Sequence, residues 1–185
     1  MTDRELIEGC VKNDRICQEA LFKMFAGKMK VVCLRYVNDR DDADDVLQEG
    51  FIKVFKNIER FGFNGSFEGW VRRIMVNTAL TKISRHSYKE EVALVHDNFE
   101  SYDYRDIVAG ISAKELMVMI NELPVGYKLV FNMYVLEGFS HKEIAMSLGV
   151  TEATSRSQLL KARLALQQRL KKSEIIRTNE QRKFV

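Results

Sequence analysis

At 185 residues the chain has room for one ordinary domain or two small ones, and a hydrophobic content of 46% gives it a packed core but not the bulk of a large enzyme. One proline and ten glycines, against abundant Leu, Val, Ile, Lys, Glu and Arg, leave little for a turn-rich sheet, so an all-α fold is expected. The net charge of +3 says little as a total, because acidic and basic residues are segregated along the sequence, as in proteins that touch both nucleic acid and a basic protein surface.

The N-terminus has no apolar h-region and no later stretch approaches the ~20 apolar residues of a membrane span, so a cytoplasmic protein without membrane insertion is expected. From Ile16 to Tyr36, apolar residues at Leu21, Phe25, Met29, Val32 and Tyr36 predict a long amphipathic helix. A second helix is expected from Asp41 or Asp42, whose carboxylates suit a helix N-terminus, through Val46, Phe51, Val54, Phe55 and Ile58 towards Phe61. Its start is the acidic cluster Asp39, Asp41, Asp42, Asp44, Asp45 and Glu49. Gly62, Asn64 and Gly65 break the pattern, and a third helix follows Ser66 as N-cap, running through Trp70, Ile74 and Thr78 towards Arg85. It carries the basic residues Arg72, Arg73 and Lys82. Three or four helices should form the first compact domain.

Between His86 and Gly110 the periodicity fades into acidic, aromatic and small polar residues, which predicts a flexible acidic linker. Helical spacing returns over Ile111 to Leu123. Pro124 suits the first turn of a helix from Val125 to Leu136, because its missing N–H would be unpaired there, and Gly138 ends that helix. Ser140 can cap a short helix ending near Leu148, Gly149 turns the chain, and Thr151 can cap a second helix. This is a helix-turn-helix. Ser155, Leu159, Ala162, Leu166 and Leu170 fall on one side of the second helix, while Arg156, Ser157, Leu160 and Lys161 project from the other with the donors and apolar tip that phosphates and base edges require.

Catalysis and metal binding find no support. Cys10, Cys17 and Cys33 lack CxxC spacing, and His86, His96 and His141 lie far from them, so neither disulfides nor a zinc site is expected. Aligning Asp39 and Asp41 with an EF-hand puts Asp44 where Gly is needed and Gly50 where Glu is needed. No Walker loop, HExxH, GxSxG or paired nucleophile and base appears, so no enzyme and no cofactor are expected.

The run GFSHKEIAMSLGVTEATSRSQLLKAR, Gly138 to Arg163, resembles the −35 recognition domain of extracytoplasmic-function sigma factors, a group within the sigma-70 family of bacterial RNA polymerase subunits. The ELP at Glu122 to Pro124 is also where that family has it. DDADDVLQEGFIKVF, Asp41 to Phe55, is similar to the family's polymerase-binding helix, and FNGSFEGWVRRIMVNTALTKISR, Phe63 to Arg85, to its −10 element helix. Departures are Asp44 for the usual Glu, Gly50 inside a helix at a cost of roughly 1 kcal/mol, and Ser155 at an inward position where Val is common, which should weaken a small core.

The resemblance implies that residues 1–88 form region 2, 89–110 a linker, 111–175 a four-helix region 4 and 176–185 a tail. It implies docking on the coiled coil of the largest catalytic subunit through Asp42, Asp45, Gln48 and Glu49, with Val46 and Phe51 either an outward apolar anchor or part of the internal core. It implies capture of a flipped −10 base by the Phe61 to Phe67 loop, with Phe63, Phe67, Trp70, Arg72, Arg73 and Asn77 as DNA-binding residues, Trp70 being open to a core role as well. Thr154, Arg156, Ser157, Leu160 and Lys161 are the expected −35 contacts, and the polymerase flap and a membrane-anchored anti-sigma protein further partners. The competing reading is a stand-alone helix-turn-helix regulator, which the two first-domain motifs disfavour.

Overall fold

A computed structural model describes residues 3–37, 39–84 and 112–182, with side chains of the last helix described as far as Ser173. Among the described residues the regular structure is wholly helical, with eight α-helices, one 3₁₀ turn and one π turn. The chain divides into two compact units, Met1–Ser87 and Tyr88–Val185.

In the first unit α1 (Asp3–Val11), α2 (Arg15–Leu34), α3 (Arg40–Asn57) and α4 (Phe67–Ser84) pack together, with a 3₁₀ turn at Ile58–Arg60. Helix α1 was not legible from periodicity, yet Leu6, Ile7 and Cys10 are buried. Asp14 caps α2, its Oδ1 accepting from the amides of Ile16 at 2.8 Å and Cys17 at 3.2 Å. The cap of α3 is Asp39 rather than Asp41 or Asp42: its carboxylate accepts from both of their amides, at 2.6 and 3.3 Å, which leaves those two acids in the first turn. Leu21, Met29 and Val32 of α2 meet Val46 and Val54 of α3 and Val71, Met75 and Val76 of α4 in a core from which water is excluded. Each such side chain contributes about 1.5–3 kcal/mol on burial. At Gly50 α3 packs directly on the Met75 side chain of α4, since a Cβ there would lie 2.2 Å from Met75 Sδ. All three cysteines are free and buried, and burial pushes the Cys10 thiol up to about 11 and Cys33 to about 12.

In the second unit the helices are α5 (Ala113–Asn121), α6 (Val125–Phe131), α7 (His141–Leu148) and α8 (Glu152–Arg182), with a π turn at Asn132–Leu136 prolonging α6. Helices α5 and α7 each open with a reciprocal capping box, Ser112 with Glu115 and Ser140 with Glu143. Pro124 is the N-cap of α6, with ψ 143°, one residue before the first-turn position expected for it. Ile120, Leu129, Met133, Ile144 and Ala162 are fully buried. Arg169 of α8 clamps the end of α5, donating to the carbonyls of Met119 (3.3 Å) and Glu122 (3.0 Å) and pairing with the Glu122 carboxylate. The expected boundary at residue 175 falls inside α8, which continues to Arg182, and the expected linker of residues 89–110 lies outside the described residues. No described helix is long and apolar enough to cross a membrane.

Candidate nucleic-acid and protein interfaces

Helix α3 presents one buried and one acidic face. Val46 and Phe51 turn inwards, 0% and 3% exposed, which decides for the internal core the choice the resemblance left open; Phe51 packs edge-on against Phe22 of α2 at 4.7 Å. Asp45, Gln48 and Glu49 are exposed and Asp42 half-buried. With Ile52, Thr81 and Lys82, the first three line an open groove of about 410 Å³ between α3 and α4. Ile52 is 53% exposed, so it, and not Val46 or Phe51, is the apolar group a partner can reach. The acids already have cations: Lys82 lies 2.6 Å from Asp42 and 3.0 Å from Asp45, Lys53 lies 2.7 Å from Glu49, and Lys30 lies 2.7 Å from Asp44. Its hydrogen bond to Asp42 chiefly, then that to Asp45, holds the Lys82 ammonium above its usual range. Sequence reasoning had placed Lys82 only in a basic stretch, since its partners lie 37 and 40 residues away.

A second site lies at the entrance to α4. Ser66 accepts from the Gly69 amide at 3.3 Å, and the segment before it bends round an open cavity of about 590 Å³ lined by Arg60, Phe61, Gly62, Asn64, Gly65, Ser66, Gly69, Trp70 and Arg73. Trp70 forms its aromatic wall, stacked on Phe67 at 5.7 Å with Phe61 beside both, so packing and exposure are shared by one ring. Asn77 is exposed one turn beyond Arg73 on the same face of α4. Three expected members point elsewhere, Phe67 packing edge-on against Phe25 of α2 at 5.7 Å. Phe63, with a left-handed φ of 56° that a bulky residue rarely adopts, turns towards α1, its ring 5.2 Å from Phe61 and under the Arg4 guanidinium at 5.1 Å. Arg72 donates to Glu68 at 2.9 Å, and Glu68 also receives Lys28 at 2.8 Å; the hydrogen bond from Lys28 first, then that from Arg72, hold its carboxyl below the usual range. Glu68 therefore ties α4 to α2 through Lys28, with Arg72 turned to the same carboxylate within α4, while Arg73 faces the cavity.

In the second unit Gly149, with φ 68°, makes the left-handed turn between α7 and α8, and Thr151 Oγ1 accepts the Thr154 amide at 3.0 Å. Ser155, Leu159, Ala162 and Leu166 of α8 are buried, whereas Arg156, Ser157 and Leu160 are exposed, Leu160 by 58%, and Thr154 and Lys161 half-buried. Arg156 pairs with Glu152 one turn earlier at 2.7 Å. The inward Ser155 is not merely a lost methyl: its hydroxyl lies 2.9 Å from Nδ1 of His141, whose ring stacks on Tyr134 at 4.5 Å. Burial, then the nearby Arg156 charge, hold the His141 imidazole below its usual value, so the ring is neutral at physiological pH.

Comparison with known proteins matches the two units separately. Residues 21–88 match the family model for sigma-70 region 2, and residues 113–166 that for sigma-70, region 4. The ECF RNA polymerase sigma-E factor of Haemophilus influenzae is 29% identical over 184 residues, covering 92% of this chain and 96% of that protein. The RNA polymerase sigma-H factor of Pseudomonas aeruginosa is 24% identical over 180 residues, covering 91% and 93%. Among solved structures, the sigma factor RpoE in complex with the anti-sigma factor NepR from Bartonella quintana gives a TM-score of 0.54 at 15% identity, over 83% of this chain and 96% of that one. CnrH in complex with the cytosolic domain of CnrY gives 0.53 at 19%, over 91% and 97%. Two regional models in the family's order, and relatives matched over more than nine tenths of both chains, place the chain among the extracytoplasmic-function sigma factors of the sigma-70 family, non-enzymatic subunits that bind RNA polymerase and recognise promoters.

Proposed function

We propose a division of this work in which residues 1–88 act as region 2, residues 111–175 as region 4, residues 89–110 as the link between them and residues 176–185 as a tail. The exposed face of Asp42, Asp45, Gln48 and Glu49, with Ile52 as apolar contact, docks on the basic coiled coil of the largest polymerase subunit, and region 4 sits by the flap. The cavity walled by Trp70 receives a −10 base out of the stack, and Arg73 and Asn77 hold the neighbouring strand. Helix α8 enters the −35 major groove with Thr154, Arg156, Ser157, Leu160 and Lys161 foremost.

The cavity carries this reading, because a regulator that binds duplex DNA alone has no use for an aromatic-walled recess beside a cationic helix. The protein works in the cytoplasm, where the polymerase is, and an anti-sigma protein, membrane-anchored as is common in the family, is its natural restraint. Transcription in vitro from a genomic promoter library, with core polymerase and this chain alone, tests the whole reading. Promoter-dependent initiation with melted −10 DNA is expected; duplex binding without initiation would instead mark a stand-alone regulator.

A further inference from the structure

The acidic face proposed to dock on the polymerase is neutralised from within. Lys82 reaches from the last turns of α4 across the groove to Asp42 at 2.6 Å and Asp45 at 3.0 Å, and it lines the same groove as Asp45, Gln48, Glu49 and Ile52. Its side chain is one third exposed, while those of Asp42 and Asp45 are 50% and 73% exposed, so water and an incoming side chain reach the carboxylates that the ammonium already holds. On α4 it lies half a turn round from Arg73, on the side that carries the buried Met75 and Thr78 towards α3, so it belongs to the groove and not to the DNA-facing side.

We propose that Lys82 is an internal counter-ion that occupies the place a cationic side chain of the polymerase takes on docking, and so sets the affinity and salt dependence of that encounter. This rests on the docking role proposed for α3. The physics is exchange: a guanidinium or ammonium arriving at Asp42 and Asp45 displaces one partly hydrated ion pair to form another, and only the difference appears as affinity. Ile52 beside the acids gives the incoming side chain's apolar stem a surface that Lys82, approaching from α4, does not need. The lysine thus lowers the attraction of the free subunit for cationic surfaces in general, and leaves the net gain to a partner that supplies charge and apolar contact together.

The test is titration of full-length variants against core polymerase at several salt concentrations, with thermal unfolding as the control for folding. Lys82→Met should bind core roughly two- to fivefold tighter at low salt, with the advantage shrinking as salt rises, while Lys82→Arg stays near the parent. A lysine that merely arranged the two carboxylates would give the opposite sign. Unchanged or weaker binding by Lys82→Met, alongside weakened binding by Asp45→Lys with Gln48→Ala, overturns the counter-ion role and keeps the docking face. If the latter variant also binds like the parent, the docking face and the inference fall together.

Discussion

A side chain at Gly50 requires Met75 to move: its Cβ would overlap Met75 Sδ, the far part of a flexible but fully buried side chain. The helical glycine that costs roughly 1 kcal/mol in propensity is thus a packing residue, and Gly50→Ala should destabilise the first unit by about 1–2 kcal/mol net, since overpacking outweighs the propensity gained. Urea unfolding followed by the fluorescence of Trp70 measures this, and equal or greater stability would mean Met75 swings aside without strain. His141 offers a second residue-scale expectation. Burial and Arg156 lower its pKa, so the folded state binds its proton less readily than the unfolded chain, whose imidazole titrates near 6.5. The stabilisation this gives the second unit is complete above that value and is lost as pH falls through the lowered one. An NMR titration of the His141 ring should find its midpoint below 6.5, and Ser155→Ala should shift that midpoint; a midpoint at or above 6.5 removes the argument.

At the scale of elements, α4 and α8 invite different tests because their proposed partners differ. Arg73→Ala and Asn77→Ala should leave duplex −35 binding intact but reduce permanganate-detected melting at −10, since the partner proposed for both is an unstacked strand; normal melting by both would defeat the assignment. In α8, Arg156→Ala should cost about 1–3 kcal/mol at one or two promoter positions if it reads a guanine edge, whereas Lys161→Ala should weaken all sequences alike and lower the salt slope by about one unit. Holoenzyme binding to a −35 mutant library at two salt concentrations separates the two, and no change in either variant would mean that another face of α8 reads the groove. These elements were legible where a signal is local. Ser140, Gly149 and Thr151 announce their caps and turn within three residues, and the apolar repeat of α8 assigns its buried face. Helix α1 was missed because Leu6, Ile7 and Cys10, though at helical spacing, span little more than one turn, too short a run to establish a period, and its burial depends on α2. Asp39 was overlooked among neighbouring aspartates that could each cap, and only the backbone distinguishes them.

For the whole molecule the order of events should be visible in which promoters suffer. Docking on the polymerase precedes promoter choice, so Asp45→Lys with Gln48→Ala should weaken core binding by about 1–3 kcal/mol and depress transcription from every promoter by one common factor. The defect of Arg156→Ala should instead track the −35 sequence. Parallel in vitro transcription from several promoters makes the comparison, and a promoter-dependent loss for the first variant would place α3 in DNA contact instead. The architecture at this scale was readable from charge segregation and motif order, but long-range pairings were not. Neither Lys82 with the acids of α3 nor Ser155 with His141 is implied by spacing, because each depends on how two helices cross. The same crossing decides that Val46 and Phe51 are core and that Ile52, one residue on, is surface.

The Arg169 clamp has a mechanical corollary. Helix α5 opens the described part of the second unit, so a pull on the chain before it arrives at α5 first, and the polar link from Arg169 to the carbonyls of Met119 and Glu122 hands that load to α8. The point of attachment is eight residues beyond Lys161, about 12 Å along the helix axis from the residues proposed to read DNA. A load passed on by α5 would therefore meet α8 behind the residues proposed to read DNA, with the buried Leu159, Ala162 and Leu166 lying between as the pivot.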